Sequence, residues 1–170
     1  PYEMPEYSSL AAWEARREWI RDHVRLACGL WGLPGAEPLH PVIFDRIEGD
    51  GFTVEKVYFE SRPGLLVTGN LYRPTRGEGP FPAVATPHGH WEHGRLHHDE
   101  RGSVPGRCIG LARRGIIAFA YDMLGYNDAD QMVHRWSDPR LDLWGISVGG
   151  LQTLNSVRVL DLSLIHISEP

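Results

Sequence analysis

Cysteine is scarce in this sequence, which has only Cys28 and Cys108 among 170 residues. Their separation matches no metal-ligand spacing, so buried free thiols are favoured over a disulfide or a nucleophile. The chain also has no apolar run close to the roughly 20 residues that a membrane-spanning helix needs. Acidic and basic residues are interspersed and the net charge is −5. We therefore predict neither a nucleic-acid partner nor a membrane partner.

Both ends of the sequence have unusual features. The first residue is Pro1 rather than Met, and residues 162–170 spell the peptide that a common sequencing-library transposon adaptor encodes in this frame. Such a segment is excluded from reasoning about the fold, although a natural apolar strand is the alternative interpretation. These features predict a piece of a longer protein, with residues 162–170 as an artefact.

The first half of the chain predicts a helix followed by a β-hairpin. Ser8 or Ser9 can cap a helix that runs to about Leu30, and prolines and glycines interrupt the chain between 32 and 41. Residues 1–50 are therefore assigned to a helical and irregular N-terminal extension. From residue 51 the sequence is β-like, with apolar strands over 52–59 and 65–72 on either side of an Arg-Pro-Gly turn.

The second half predicts a βαβ unit. Residues 81–86 form a short apolar strand, 105–114 a helix that Gly115 ends, and 116–121 a continuous apolar run typical of a buried parallel strand. A strand, a helix and a second strand in this order indicate α/β architecture. Residues 147–161 then predict a helix, because leucine and valine recur every three residues from 151 to 160.

Residues 145–150 match the G-x-S-x-G pattern of a nucleophile elbow, with Ser147 in the nucleophile position. An elbow needs a buried strand before it, and residues 141–144 are short, follow Pro139 and contain Asp142. The preceding stretch also has little of the apolar periodicity of a crossover helix. We predict that Ser147 is not catalytic and lies at a helix start, where its side chain can cap backbone N–H groups.

The loop that follows the strand at 81–86 has two chemical interpretations. A His-Gly pair after a central strand can turn backbone N–H groups toward an open space, where they stabilise the oxyanion of an acyl-transfer intermediate. The spacing of His88, His90, Glu92 and His93 also approaches the H-x-H-x-D-H zinc signature, with glutamate in place of aspartate. A purely structural loop is the third interpretation.

Several segments together carry a resemblance to a known family, and they are residues 51–61, 69–74, 87–91, 121–128, 143–147 and 155–161. They resemble bacterial α/β-hydrolases of the acetylxylan-esterase-like kind, from about residue 17 to 161. The resemblance implies a truncated α/β-hydrolase fold, with 51–161 as the first half of the domain and the later strands lacking. It also implies a serine nucleophile in a later Gly-x-Ser-Gly-Gly-Gly elbow, with the acidic residue and the histidine of the triad later still.

Of the family's machinery, this sequence is expected to contain only the oxyanion loop. Gly89 and His90 are the candidate backbone donors, and His88 is expected to position the turn. Asp122 follows a parallel strand at the edge where ligands bind in open α/β sheets, but holding the loop at 125–128 by hydrogen bonds is the favoured role. Trp91 and Trp144 are candidates for a sugar site, with buried packing as the default interpretation.

The resemblance therefore implies a fragment of a serine hydrolase for a small-molecule or carbohydrate ester, with no cofactor and no metal. Three alternatives remain at this point. They are a small esterase that uses Ser147, a zinc hydrolase that uses His88, His90 and His93, and a non-catalytic fragment or binding module. In the family's strand order, residues 83–86 become an open apolar edge, and we expect the chain alone to lack esterase activity.

Overall fold

A computed structural model describes residues 5–32 and 37–162 of the chain. The predicted adaptor segment from residue 163 onward lies outside these residues. The described residues form two compact units, one of residues 5–32 with Trp136–Leu151 and one of residues 37–135 with 152–162. No described helix is long and apolar enough to cross a membrane.

The helices are α1 (Leu10–Ala27), α2 (Val104–Ala112), α3 (Pro139–Asp142) and α4 (Val148–Leu162), with a 3₁₀ turn at Gly94–Leu96. The strands are β1 (Val42–Gly49), β2 (Phe52–Arg62), β3 (Leu65–Pro74), β4 (Ala83–Ala85), β5 (His98–Asp99), β6 (Gly102–Ser103) and β7 (Ile117–Tyr121). The predicted first helix is confirmed, since the Ser9 hydroxyl accepts a hydrogen bond from the Ala12 amide at its start.

Five strands form one sheet in the order β1-β2-β3-β7-β4. The pairs β1/β2, β2/β3 and β3/β7 are antiparallel, and β4 pairs with β7 in parallel. The predicted hairpin and the predicted βαβ unit are thus confirmed, with α2 as the crossover helix between β4 and β7. Strands β5 and β6 form a separate antiparallel pair.

Alternate residues of the central strands contribute to two apolar clusters, as the period of two in a strand requires. Phe119 and Tyr121 of β7 belong to one cluster, which includes Val159 and Leu162 of α4. Ala118 and Ala120 belong to the other, which α2 covers with residues such as Cys108. Leu162, assigned to the adaptor from the sequence, is therefore a buried residue of α4.

The sequence misses β1, since residues 42–49 fall within the predicted irregular extension but pair with β2. Seven of the eight β1 residues are exposed, so the strand has no buried face for an alternating pattern to mark. A register shift between Phe44 and Ile47, with Asp45 at a φ of +53°, also interrupts the strand. The sheet consequently begins before the boundary at residue 51.

Among the described strands, β4 lies at one edge of the sheet, as the family's strand order predicts. It has only three residues, and the central one, Val84, is 41% exposed. The outer side of β4 pairs with no described strand, so its backbone groups are open there. This edge lies beside the loop that contains the candidate site.

Candidate active site

The candidate site lies where β4 and β7 end. Because the two strands are parallel, the loops that follow them leave the sheet at the same edge, where ligands bind in open α/β sheets. The first loop contains His88, Gly89 and His90, and the second begins at Asp122. The structure thus brings all four predicted site residues to one edge.

His88 connects the two loops through a wholly buried imidazole. Its Nε2 accepts a hydrogen bond from the Met123 amide at 3.1 Å, and its Nδ1 lies 2.7 Å from the Gly89 carbonyl oxygen. A carbonyl only accepts, so Nδ1 carries the proton and the ring is neutral. Burial lowers the pKa of His88 below its usual 6.5, and this favours the same neutral form. His88 therefore fixes the first loop to the end of β7.

The backbone after His88 makes a tight turn that leaves two donors open. The Trp91 amide donates to the Gly89 carbonyl at 2.9 Å, which makes His90 the centre of a three-residue turn. His90 is not among the residues of positive φ, so the turn is of the inverse γ type. Within residues 5–32 and 37–162, the amides of Gly89 and His90 donate no hydrogen bond. Whether both point at one ester oxygen stays a prediction.

Asp122 is buried at the centre of a polar network. The Thr68 hydroxyl donates to its Oδ2 at 2.8 Å, the Asn127 amide group donates to its Oδ1 at 2.7 Å, and Arg95 Nη1 forms an ion pair with Oδ2. Asn127 belongs to the loop that the sequence expects Asp122 to hold, and the hydrogen bond shows this contact. Both carboxylate oxygens have partners inside the protein. These contacts offset the cost of burying the Asp122 charge, so a structural role is enough to explain its burial.

Arg95 is the residue of this network that sequence reasoning missed. Its Nη2 lies 2.5 Å from Asp128 Oδ2, and its Nε donates to Asn70 Oδ1 at 2.9 Å. The sequence places it in a polar loop, where an arginine is ordinarily exposed. The 3₁₀ turn at Gly94–Leu96 instead directs it inward, and Gly94 at its start has a φ of +48°. No local pattern marks a buried arginine, since its partners come from β3 and from the loop after β7.

The zinc interpretation of this loop finds no support in the described residues. No group of three histidine, cysteine, aspartate or glutamate side chains in that part of the chain is placed to hold a metal ion. Both nitrogens of His88 are engaged in hydrogen bonds with backbone groups. Zinc ligation by His88 would therefore require one of these bonds to break.

Ser147 lies immediately before α4, and the helical segment α3, rather than a strand, precedes it. The Ser147 hydroxyl accepts a hydrogen bond from the Gly150 amide at 2.8 Å, as an N-cap does. The predicted location at a helix start is confirmed. A Cβ at Gly150 would collide with the Cys28 carbonyl, so this glycine permits close backbone packing.

The cysteines and the tryptophans singled out from the sequence differ in how deeply they are buried. Both cysteines are free thiols, as predicted. The predicted burial holds for Cys108, whose pKa it raises, but Cys28 is only half-buried. The default expectation of buried tryptophans is wrong, because Trp91 is 41% exposed and Trp144 is 82% exposed. The Trp91 ring stacks on His97 with centroids 4.8 Å apart.

Comparisons with known proteins place the fold. No protein-family model and no curated protein sequence matches the chain. Among solved structures, the methylesterase BT1017 is 28% identical with a TM-score of 0.75, and the match covers 93% of this chain and 34% of that one. A Bacteroides fragilis protein assigned as an acetyl xylan esterase is 16% identical with a TM-score of 0.69, covering 93% and 45%. An acetyl xylan esterase from Paenibacillus sp. R4 is 17% identical with a TM-score of 0.56, covering 96% and 50%.

These likenesses show an α/β-hydrolase fold, as the sequence predicts. The chain spans between 34% and 50% of the lengths of these three proteins. Its five-stranded sheet and the two loops at the ends of β4 and β7 correspond to one part of the fold. Fold alone does not assign an activity, which depends on the site.

Proposed function

We propose that these residues form the oxyanion side of the active site of a serine carboxylic-ester hydrolase, which acts on acetylated sugars or polysaccharides. The observation that carries the proposal is the pair of unpartnered amides at Gly89 and His90 in the described structure. They lie at the carboxyl edge of a parallel strand pair, and a buried neutral histidine holds the turn in place. Preorganised donors of this kind stabilise the negative charge that develops on the carbonyl oxygen during acyl transfer.

The nucleophile in this proposal is not Ser147, whose hydroxyl caps α4. The proposal places the nucleophilic serine, its histidine and its acidic residue outside residues 5–162, in a longer gene product of which the chain is a fragment. The names of the similar solved structures support ester hydrolysis, since all three are given as esterases, and this chain covers only 34% to 50% of their lengths. The likeness to acetyl xylan esterases supports an acetylated carbohydrate as substrate.

The test removes one backbone donor without changing the turn. The φ of the central residue of an inverse γ-turn is about −75°, close to the angle that proline fixes, and proline has no N–H. His90→Pro therefore deletes the proposed donor, and Gly89 before it tolerates the restriction that proline imposes. The matched control His90→Ala keeps the N–H and removes only the imidazole.

Both variants are made in the gene product that carries this sequence and are assayed with 4-nitrophenyl acetate. We expect His90→Pro to lower kcat by about 10²- to 10³-fold, the usual effect of losing one oxyanion donor. His90→Ala should keep kcat within about tenfold, because a side chain outside the oxyanion site supplies no such donor. Equal losses in both variants, or a gene product without esterase activity, would contradict the proposal.

A further inference from the structure

His134 lies beside the proposed oxyanion loop although the sequence gives it no role. Its ring centroid is 4.9 Å from that of His90 and 5.0 Å from that of Tyr126. The Tyr126 ring in turn lies 4.9 Å from His88. His134 and Tyr126 are half-buried and His90 is exposed, so the three rings form a surface that is open to a ligand.

Two contacts hold His134 in this place. Its Nδ1 lies 2.9 Å from the Leu124 carbonyl oxygen, so Nδ1 carries the proton in this hydrogen bond. Gly125, at a φ of +81°, packs against the backbone of His134 so closely that a Cβ at Gly125 would collide with it. The imidazole is therefore fixed on a segment that starts at the end of β7.

This arrangement leaves polar ring atoms unpartnered next to the turn. Within the part of the chain that the structure describes, neither His134 Nε2 nor the Tyr126 hydroxyl forms a hydrogen bond. In the neutral ring with the proton on Nδ1, Nε2 is an acceptor, and a tyrosine hydroxyl both donates and accepts. Such a pair of atoms on half-buried rings suits a hydroxyl group, which likewise donates and accepts.

We propose that His134 is a specificity-determining residue, whose Nε2 accepts a hydrogen bond from a hydroxyl on the alcohol part of the ester. This inference rests on the proposed ester hydrolysis, because it is the His90 turn that would locate the ester carbonyl beside the ring. The site then selects esters of alcohols that carry further hydroxyl groups. An ester of a plain alkyl alcohol leaves Nε2 without a partner.

The test uses two substitutions to distinguish the roles of the two ring nitrogens of His134. His134→Asn carries an amide N–H that can replace Nδ1 as the donor to Leu124, and it has no group at the position of Nε2. His134→Gln extends an amide toward the position of Nε2 and loses the bond to Leu124. Each variant of the gene product is assayed with glycerol monoacetate and with propyl acetate, which share a three-carbon alcohol and differ in their hydroxyl groups.

We expect the wild type to prefer glycerol monoacetate in kcat/KM, and His134→Asn to reduce that preference about tenfold, mainly through KM. His134→Gln should keep most of the preference but have a lower Tm. A preference unchanged in His134→Asn, or a wild type that hydrolyses both esters equally well, would overturn this inference alone. A wild type that hydrolyses neither ester would overturn the proposed function as well.

Discussion

Residues 88–91 and residues 145–150 are both short glycine-containing segments of kinds that α/β-hydrolases use, and the structure treats them in opposite ways. The first segment follows β4, and the amides of Gly89 and His90 have no partner among the described residues. The second follows α3 rather than a strand, and the Gly150 amide donates to Ser147. A motif can act on a substrate only through groups that the fold does not already use.

The difference between the segments comes from what holds them. Contacts with residues remote in sequence fix the first loop. His88 accepts a hydrogen bond from the Met123 amide after β7, and Asp122, which forms a buried ion pair with Arg95, lies 4.0 Å from His88 Nε2. These side chains leave the loop amides open. Local hydrogen bonds around a helix start fix the second segment, and they engage the amides of Gly145, Ile146 and Gly150. Three predictions test this comparison.

The largest effect is expected from Asp122→Ala, which leaves Arg95 buried without one of its two carboxylates. Loss of one partner of a buried ion pair costs about 3–5 kcal/mol, and Thr68 and Asn127 also lose their acceptor. We expect a fall of this size in the free energy of unfolding, measured by urea denaturation of the gene product.

The matched control for Asp122→Ala is Asp128→Asn, which alters the other carboxylate on Arg95. The Asp128 side chain is 68% exposed, so its removal should cost less than about 1 kcal/mol. Comparable losses in the two variants would show that the buried pair is not what supports the first loop.

A smaller effect is expected from changes at Ser147. Ser147→Ala removes the N-cap of α4 and should cost about 1 kcal/mol of stability. Ser147→Asp keeps a capping oxygen, so it should retain stability. It lacks the serine hydroxyl that a nucleophile needs. The proposed function predicts that an organophosphonate probe labels the wild-type gene product, and both variants should label equally well. Loss of labelling in the stable Ser147→Asp protein would make Ser147 the nucleophile and reverse the comparison.

The smallest effect is expected from pH. Since the pKa of His88 is lower in the folded protein than its usual 6.5, the unfolded chain binds more protons than the folded one below that pH. The contribution of neutral His88 to the free energy of unfolding is therefore fully present above pH 6.5, and it is lost as the pH falls from there toward the lowered pKa. The urea midpoints measured at pH 8 and at pH 5 should differ less in His88→Gln than in the wild type. An unchanged pH dependence in that variant would show that His88 does not titrate in this way.

The elements with a strong local signal were predictable from sequence. The capped start of α1, the hairpin of β2 and β3, and the apolar run of β7 all carry patterns within a few residues. Strand β1 carried no such pattern, because its residues are exposed and a register shift interrupts it. The sequence could bring His88, Gly89, His90 and Asp122 forward as candidates because they lie in the loops after two strands, and their role in a site stays a prediction. Arg95 and His134 were not, since neither belongs to a motif.

By itself, the sequence determined the α/β order of the elements, the loops that meet at one sheet edge, and the objection to an elbow at Ser147. Local backbone preferences and apolar periodicity decide these features, and both act over short stretches of chain. The tertiary structure alone decided that Arg95 is buried against Asp122 and that His134 lies beside His90. These contacts depend on how β3, β7 and the long loops pack, and a polar side chain takes its role from the partners that packing brings to it.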